Sequence, residues 1–186
     1  MVRKIPIHTA AWGPRMLQTT GELSDGALIA GEAQKLAFEK KIDIVNTSAR
    51  RVGRDPKDVW INLHFPVMVD PNPEVAIDLL RPVVAYTIMR SPIALLDDVP
   101  PEHAEHIERI RQHYRLGTAP SQRTNNLRHL VPDSLVRYWA VVGTAEECNE
   151  RLKDILTVRP DEVTFVISYQ DMVDRLERFA DLIQTR

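Results

Sequence analysis

Two-residue and helical patterns alternate along this chain, and that alternation leaves few folds open to it. From Val59 to Val69, Val59, Ile61, Leu63, Phe65, Val67 and Val69 share one face while Trp60, Asn62, His64 and Met68 share the other. A period of two over that length predicts a strand. Pro66 has no N–H to give a sheet ladder, so the well-paired part is expected before it and the rest as the strand's exit. Upstream, Ile5 to Ala11 predicts a strand, Trp12-Gly13 a turn and Pro14 a helix start, and the stretch Gly21 to Ile29 leads through a second strand. A helix over about Glu32 to Val52 ends at the turn cluster Gly53-Arg54-Asp55-Pro56. A last strand, Val163 to Ile167, follows Arg159-Pro160-Asp161. Strands that alternate with helices imply parallel pairing through crossover helices. Four strands are expected, whereas a closed (β/α) barrel needs eight and about 250 residues. The fold expectation is therefore α/β: half a barrel or a small open parallel sheet.

Between the third and last strands the sequence is mainly helical. A helix from about Pro73 carries Ala76, Leu79, Leu80, Val83, Val84 and Thr87 on one side, and Pro82 is expected to kink it. Glu102 to Leu116 predicts another, stopped by Gly117, followed by a loop from Thr118 to Arg128 and a short helix from Pro132 to Ala140. Thr144 and Glu147 form a capping box ahead of Cys148, Leu152, Ile155 and Leu156, which share one buried face. Met172, Val173, Leu176, Phe179, Ala180 and Ile183 predict a closing helix.

At 186 residues the chain has one domain's length and can bury a sizeable core. Its net charge of −2, with both signs interspersed, argues against a nucleic-acid-binding face. The single cysteine, Cys148, excludes an internal disulfide framework and sits on an apolar stripe, as a packed small hydrophobe would. No apolar run reaches membrane-spanning length, and Met1-Val2-Arg3-Lys4 leads straight into a strand, so the expectation is a soluble cytoplasmic protein with no membrane partner. Serine-hydrolase elbows, phosphate-binding Gly-rich loops followed by Lys, and dinucleotide fingerprints are absent.

The turn after the first strand carries the most chemistry. A helix start leaves N–H groups unpaired where the helix dipole favours anions. Gly13 permits close approach, Pro14 has no N–H, and Arg15 and Met16 present the first free helical amides beside a basic side chain. The turn reads as a phosphate seat, or more plainly as a helix start with a solvated arginine. Asn62 and His64, on the polar face of the alternating strand, would point into a barrel, near the strand end where barrel enzymes keep their chemistry. A hydrogen-bonded interior histidine is the plainer alternative. His103, His106 and His113 share a helix face without a partner cluster spaced to complete a metal site, so no metal is assigned.

These residues resemble the C-terminal half of the bacterial luciferase-like family of flavin- and deazaflavin-dependent monooxygenases, dehydrogenases and reductases. The resemblance rests on Pro6-Ile7 through Ala10-Ala11, Gly13-Pro14-Arg15-Met16-Leu17, Gly21-Glu22 and Asp25-Gly26. It continues through Gly53-Arg54-Asp55-Pro56, the exit Val69-Asp70-Pro71-Asn72-Pro73-Glu74, Gly143-Thr144-Ala145-Glu146-Glu147 and Asp161-Glu162-Val163, and is weakest between about Ser91 and Leu130. It implies a partial (β/α)8 TIM barrel of about four parallel βα units, one half-barrel domain over residues 1–186 with a helical and loop insertion at about 91–140. It implies that Ala11, Trp12, Gly13, Arg15 and Met16 approach the phosphate end of FMN or of the deazaflavin coenzyme F420, and that His64 and Asn62 face the barrel mouth and a small-molecule substrate. The family's first barrel strands, which carry much of the ring-binding surface, have no counterpart here. Turnover would then need a second copy or a separate N-terminal half-barrel chain to cover the unpaired edges. A noncatalytic half-barrel, and a module binding another phosphorylated ligand, stay open.

Overall fold

The computed structural model describes residues 5–91, 99–113, 127–167, 177 and 180. Of the expected closing helix only Glu177 and Ala180 fall within these, both in a helical conformation, and the expected loop from Thr118 lies outside them up to residue 126. The chain runs β1 (His8–Ala11), α1 (Pro14–Leu23), β2 (Gly26–Ala30), α2 (Lys35–Arg51), β3 (Trp60–Val69), α3 (Pro73–Arg90), α4 (Pro101–Gln112), α5 (Asp133–Trp139), β4 (Val141–Gly143), α6 (Ala145–Leu156) and β5 (Glu162–Val166). Among the described residues no helix is long and apolar enough to cross a membrane.

Every strand pairing is parallel. His8 lies opposite Gly26, Ala30 opposite His64, and Asn62 to Pro66 opposite Glu162 to Val166. Among the described residues β1 pairs only with β2 and β5 only with β3, so the sheet is open, as a partial barrel requires. The strand exit after Pro66 needs correcting. Val67 to Val69 stay in the sheet and pair with Val141 to Gly143, a fifth strand. A proline removes one donor without unfolding its neighbours, and the ladder changes partner there: β5 ends opposite Pro66 and β4 begins opposite Val67. β4 is three residues long, too short for its period to register in the sequence.

One face of the sheet is packed by α1, α2 and α6. Leu17, Phe38, Val45, Ala49, Cys148, Leu152 and Ile155 close on Ala11, Ala27, Ile29, Ile61, Leu63 and Phe65. Each fully buried Val, Leu, Ile or Phe side chain here stabilises by about 1.5–3 kcal/mol relative to exposure. Phe65 anchors this layer, its ring centroid 5.5 Å from those of both Phe38 and Phe165. α1 and α2 meet backbone to backbone at Gly21, where a Cβ would stand 2.2 Å from the Val45 carbonyl oxygen. Arg54, from the expected turn cluster, donates to the carbonyls of Gly21 and Ser24 at 2.8 Å each and so satisfies the end of α1.

A second core forms beyond the C-terminal ends of the strands. Met68 and Val142 pack there against Ile77, Leu80, Val84 and Ile88 of α3, Ile107 and Ile110 of α4, and Leu135 and Trp139 of α5. α3 continues through Pro82, and Asn72 caps its start by accepting from the Glu74 N–H at 3.1 Å. The Thr144–Glu147 capping box is present in both directions. Cys148 is buried on the helix side of the sheet, and burial, with the nearby Glu147 charge, pushes its thiol up to about 12. It is a packing residue, as its place on the apolar stripe implied.

Candidate functional site

A cavity of about 300 Å³ opens at the C-terminal ends of the strands, beneath the second half of α3. Trp12 from the β1 exit, Ala30 to Glu32 from the β2 exit, His64 to Pro66 of β3 and Val166 of β5 form its floor and walls. Val83, Tyr86, Thr87 and Arg90 of α3, with Ser91 just past its end, form its roof. In α/β folds with parallel strands this end of the sheet is where ligands bind. α3 reaches over it because its apolar residues have Met68 and Val142 to pack on beyond the sheet.

The expected site residues divide into an inner and an outer group. Trp12 and His64 line the cavity. Among the described residues the buried indole Nε1 of Trp12 has no hydrogen-bond partner. Asn62 lies deeper along β3, outside the cavity wall, and donates from Nδ2 to Thr164 Oγ1 at 3.0 Å, while its buried Oδ1 has no partner among the described residues. Gly13, Arg15 and Met16 form the outer group. Gly13 is the N-cap of α1 and offers no side-chain cap, and the first intrahelical bond is Leu17 N–H to Gly13 O at 2.9 Å. Among the described residues no acceptor meets the Arg15 and Met16 amides, and both side chains are exposed. The Ala11 side chain is fully buried in the helix-side core, so only its backbone faces outward.

His64 is half-buried, and among the described residues nothing hydrogen-bonds its ring. Burial lowers its pKa from 6.5, which keeps the imidazole neutral at pH 7 with one donor and one acceptor turned to the cavity. The unfolded chain then binds the proton more readily than the native one. The contribution to stability is complete above the unfolded value of 6.5 and is lost as pH falls through the lowered native value. His103, whose pKa burial also lowers, acts in the same direction. His64→Gln should therefore soften the loss of stability below about pH 6.5 without altering the neutral value, read as urea midpoints across that range. An identical acid limb would show that His64 binds its proton equally well in the folded and the unfolded chain, so that burial does not lower its pKa.

Sequence reasoning missed two features of this cavity. The first is the buried pair Glu32–Lys41, with Nζ 3.0 Å from Oε2 and 3.3 Å from the Ala30 carbonyl, and side chains 7% and 2% exposed. Glu32 is not the start of α2, as expected, but part of the loop before it. Gly31 makes the fold-back possible: its φ is +154°, and a Cβ there would stand 2.1 Å from Lys41 Nζ. The loop is pinned further by Ala33 N–H to Trp139 O at 3.1 Å and by Arg151 to Ala33 O at 2.9 Å. Lys41 falls between Phe38 and Val45 on a buried stripe, and a lysine there was the available signal. The second is the aromatic seat of Arg90, 4.7 Å from the Trp12 ring centroid. The helix histidines separate: His103 is buried beside Tyr138, ring centroids 5.3 Å apart, and His113 is exposed. Among the described residues no group of three His, Cys, Asp or Glu side chains could hold a metal ion.

The barrel-side face of the sheet is bare toward its N-terminal end. His8, Ala10, Trp60 and Glu162 are exposed there, with Trp60 Nε1 donating to Glu162 Oε2 at 3.2 Å, and Ile5 and Ile7 are 80% and 66% exposed beside them.

Residues 1–160 match the family model described as luciferase-like monooxygenase. Over 156 residues the chain is 28% identical to the 5,10-methylenetetrahydromethanopterin reductase of Methanolobus tindarius, covering 83% of this chain and 45% of that enzyme. It is 23% identical over 181 residues to the F420-dependent glucose-6-phosphate dehydrogenase of Mycolicibacterium fortuitum, covering 97% of this chain and 46% of that one. Its fold matches the solved structure of the coenzyme F420-dependent tetrahydromethanopterin reductase from Methanopyrus kandleri with a TM-score of 0.72 at 23% identity, over 93% of this chain and 48% of that one. The chain spans about half the length of the curated relatives it matches.

Proposed function

This chain belongs to the luciferase-like monooxygenase family, and from that membership we propose that it forms the cofactor-phosphate half of an oxidoreductase that uses the deazaflavin coenzyme F420. The observation that carries the reading is the β1–α1 turn, where Gly13 leaves the Arg15 and Met16 amides unmatched at an exposed helix start beside a cationic side chain. That donor set fits a phosphate. F420 is preferred to FMN because one enzyme compared by sequence above is an F420-dependent dehydrogenase, and the solved structure whose fold this chain matches is a coenzyme F420-dependent reductase.

When bound, the deazaflavin supplies hydride transfer. The chain's own residues bind and orient. The turn holds the phosphate, Trp12 and Val83 give the cavity apolar walls, and neutral His64 holds or accepts a proton at the cavity. Asn62 fixes β3 to β5 beneath it through Thr164. We further propose that residues 1–186 make one half-barrel unit with an insertion at about 91–140. Polypeptide outside these residues, a second copy or a separate half, would cover the bare barrel-side face around Trp60 and Ile7.

Arg15→Ala tests the seat. Its side chain is exposed, so the unfolding midpoint should hold, while affinity for F420 should fall about tenfold through loss of one charge-assisted contact. Unchanged affinity would remove Arg15 from the site.

A further inference from the structure

Most guanidinium groups placed in this structure have evident partners. Arg51 meets Glu22, Arg81 meets Asp78 and Asp133, and Arg128 meets Asp78. Arg54, Arg111 and Arg151 donate to main-chain carbonyls. Arg90, the last residue of α3, has no carboxylate partner among the described residues, and its hydrogen bond runs from Nη1 to the Tyr86 hydroxyl at 2.6 Å. Its guanidinium carbon instead lies 4.7 Å from the Trp12 ring centroid and 5.5 Å from that of Tyr86. Aromatic faces orient a guanidinium without neutralising it.

The turn that carries Arg90 is also braced. The Ser91 N–H donates to the Thr87 carbonyl at 3.0 Å, Ser91 Oγ donates to the same carbonyl at 3.0 Å, and Arg111 of α4 holds the Ser91 carbonyl at 2.6 Å. Trp12, on which the cation rests, lies one residue before Gly13, the N-cap of the helix start described above, and its own buried Nε1 has no acceptor among the described residues. With Nη1 engaged by Tyr86, the Nη2 and Nε donors remain, and these form the side-on pair that grips two oxygens of one oxyanion.

We infer that Arg90 is a second cationic anchor for the phosphoryl group of the ligand, reaching it from α3 across the cavity mouth while Trp12 and Tyr86 hold the guanidinium plane. The inference rests on the β1–α1 turn being a phosphate seat and adds to it a side chain from another element, the C-terminal end of α3. It makes α3 part of the binding machinery, so that the phosphoryl group ties the roof of the cavity to its floor.

Calorimetric titration of the whole chain with inorganic phosphate, at constant ionic strength made up with chloride, tests this without the coenzyme. The wild type should take up phosphate. Arg90→Ala should weaken that binding tenfold or more with an unchanged urea midpoint, since the side chain is exposed, and Arg90→Lys should recover only part of it because an ammonium cannot grip side-on. Arg90→Ala binding phosphate as the wild type does would overturn the inference, as would no uptake by the wild type. If Arg15→Ala loses phosphate and Arg90→Ala keeps it, the helix start acts alone: Arg90 is excluded while the proposed function survives.

Discussion

Lys41→Met should cost about 3–5 kcal/mol of folding stability, because it strands the Glu32 carboxylate in a site only 7% exposed. The loss has little to do with attraction within the pair. Removing two charges from water is expensive, and a buried pair replaced as a whole is often no less stable than before. The double variant Lys41→Met with Glu32→Gln should therefore recover most of the loss, since no charge is left behind. Urea unfolding of the two variants beside the wild type distinguishes the cases: a single variant no worse than the double would mean that Glu32 finds water or another partner. The effect would reach the site as well, because Glu32 and Lys41 both line the cavity and hold the β2 exit in its fold-back at Gly31.

The second large effect concerns the ligand. Coenzyme F420 stripped of its phosphate arm should bind on the order of 10²- to 10⁴-fold more weakly than the intact coenzyme. The unmatched Arg15 and Met16 amides offer two hydrogen bonds to a charged acceptor, worth about 1.5–3 kcal/mol each. Neither amide is satisfied elsewhere, so binding breaks no competing bond within the helix. Equal affinity for the two forms would place the phosphate in solvent and return the turn to the status of an ordinary helix start.

Local chemistry made much of this legible in advance. Pro14 after Gly13, the Thr144–Glu147 box and the alternation through β3 each encode an element within a few residues, and each is found where those residues put it. His64 was legible as a cavity residue because strand alternation fixes its face. Its neighbour Asn62 shares that face but sits too deep to line the cavity, a matter of depth along the strand that periodicity does not report. What escaped notice depends on contacts between distant segments. Trp12 and Arg90 are far apart in sequence, and no spacing rule brings an indole from a strand exit under the end of a later helix. Glu32 looked like a helix residue because nothing local announces that Gly31 turns the chain back onto Lys41. β4 needed the overhang of β3 beyond Pro66 to exist first, and so could not be seen in its own three residues.

The central claim, that this chain carries a working seat for a phosphorylated flavin-type cofactor, is tested most directly by fluorescence titration of the purified protein with coenzyme F420 and, separately, with FMN. The account predicts saturable binding of F420, weakened by Arg15→Ala. Binding of neither cofactor would contradict it and leave a half-barrel that keeps the family's fold without its ligand.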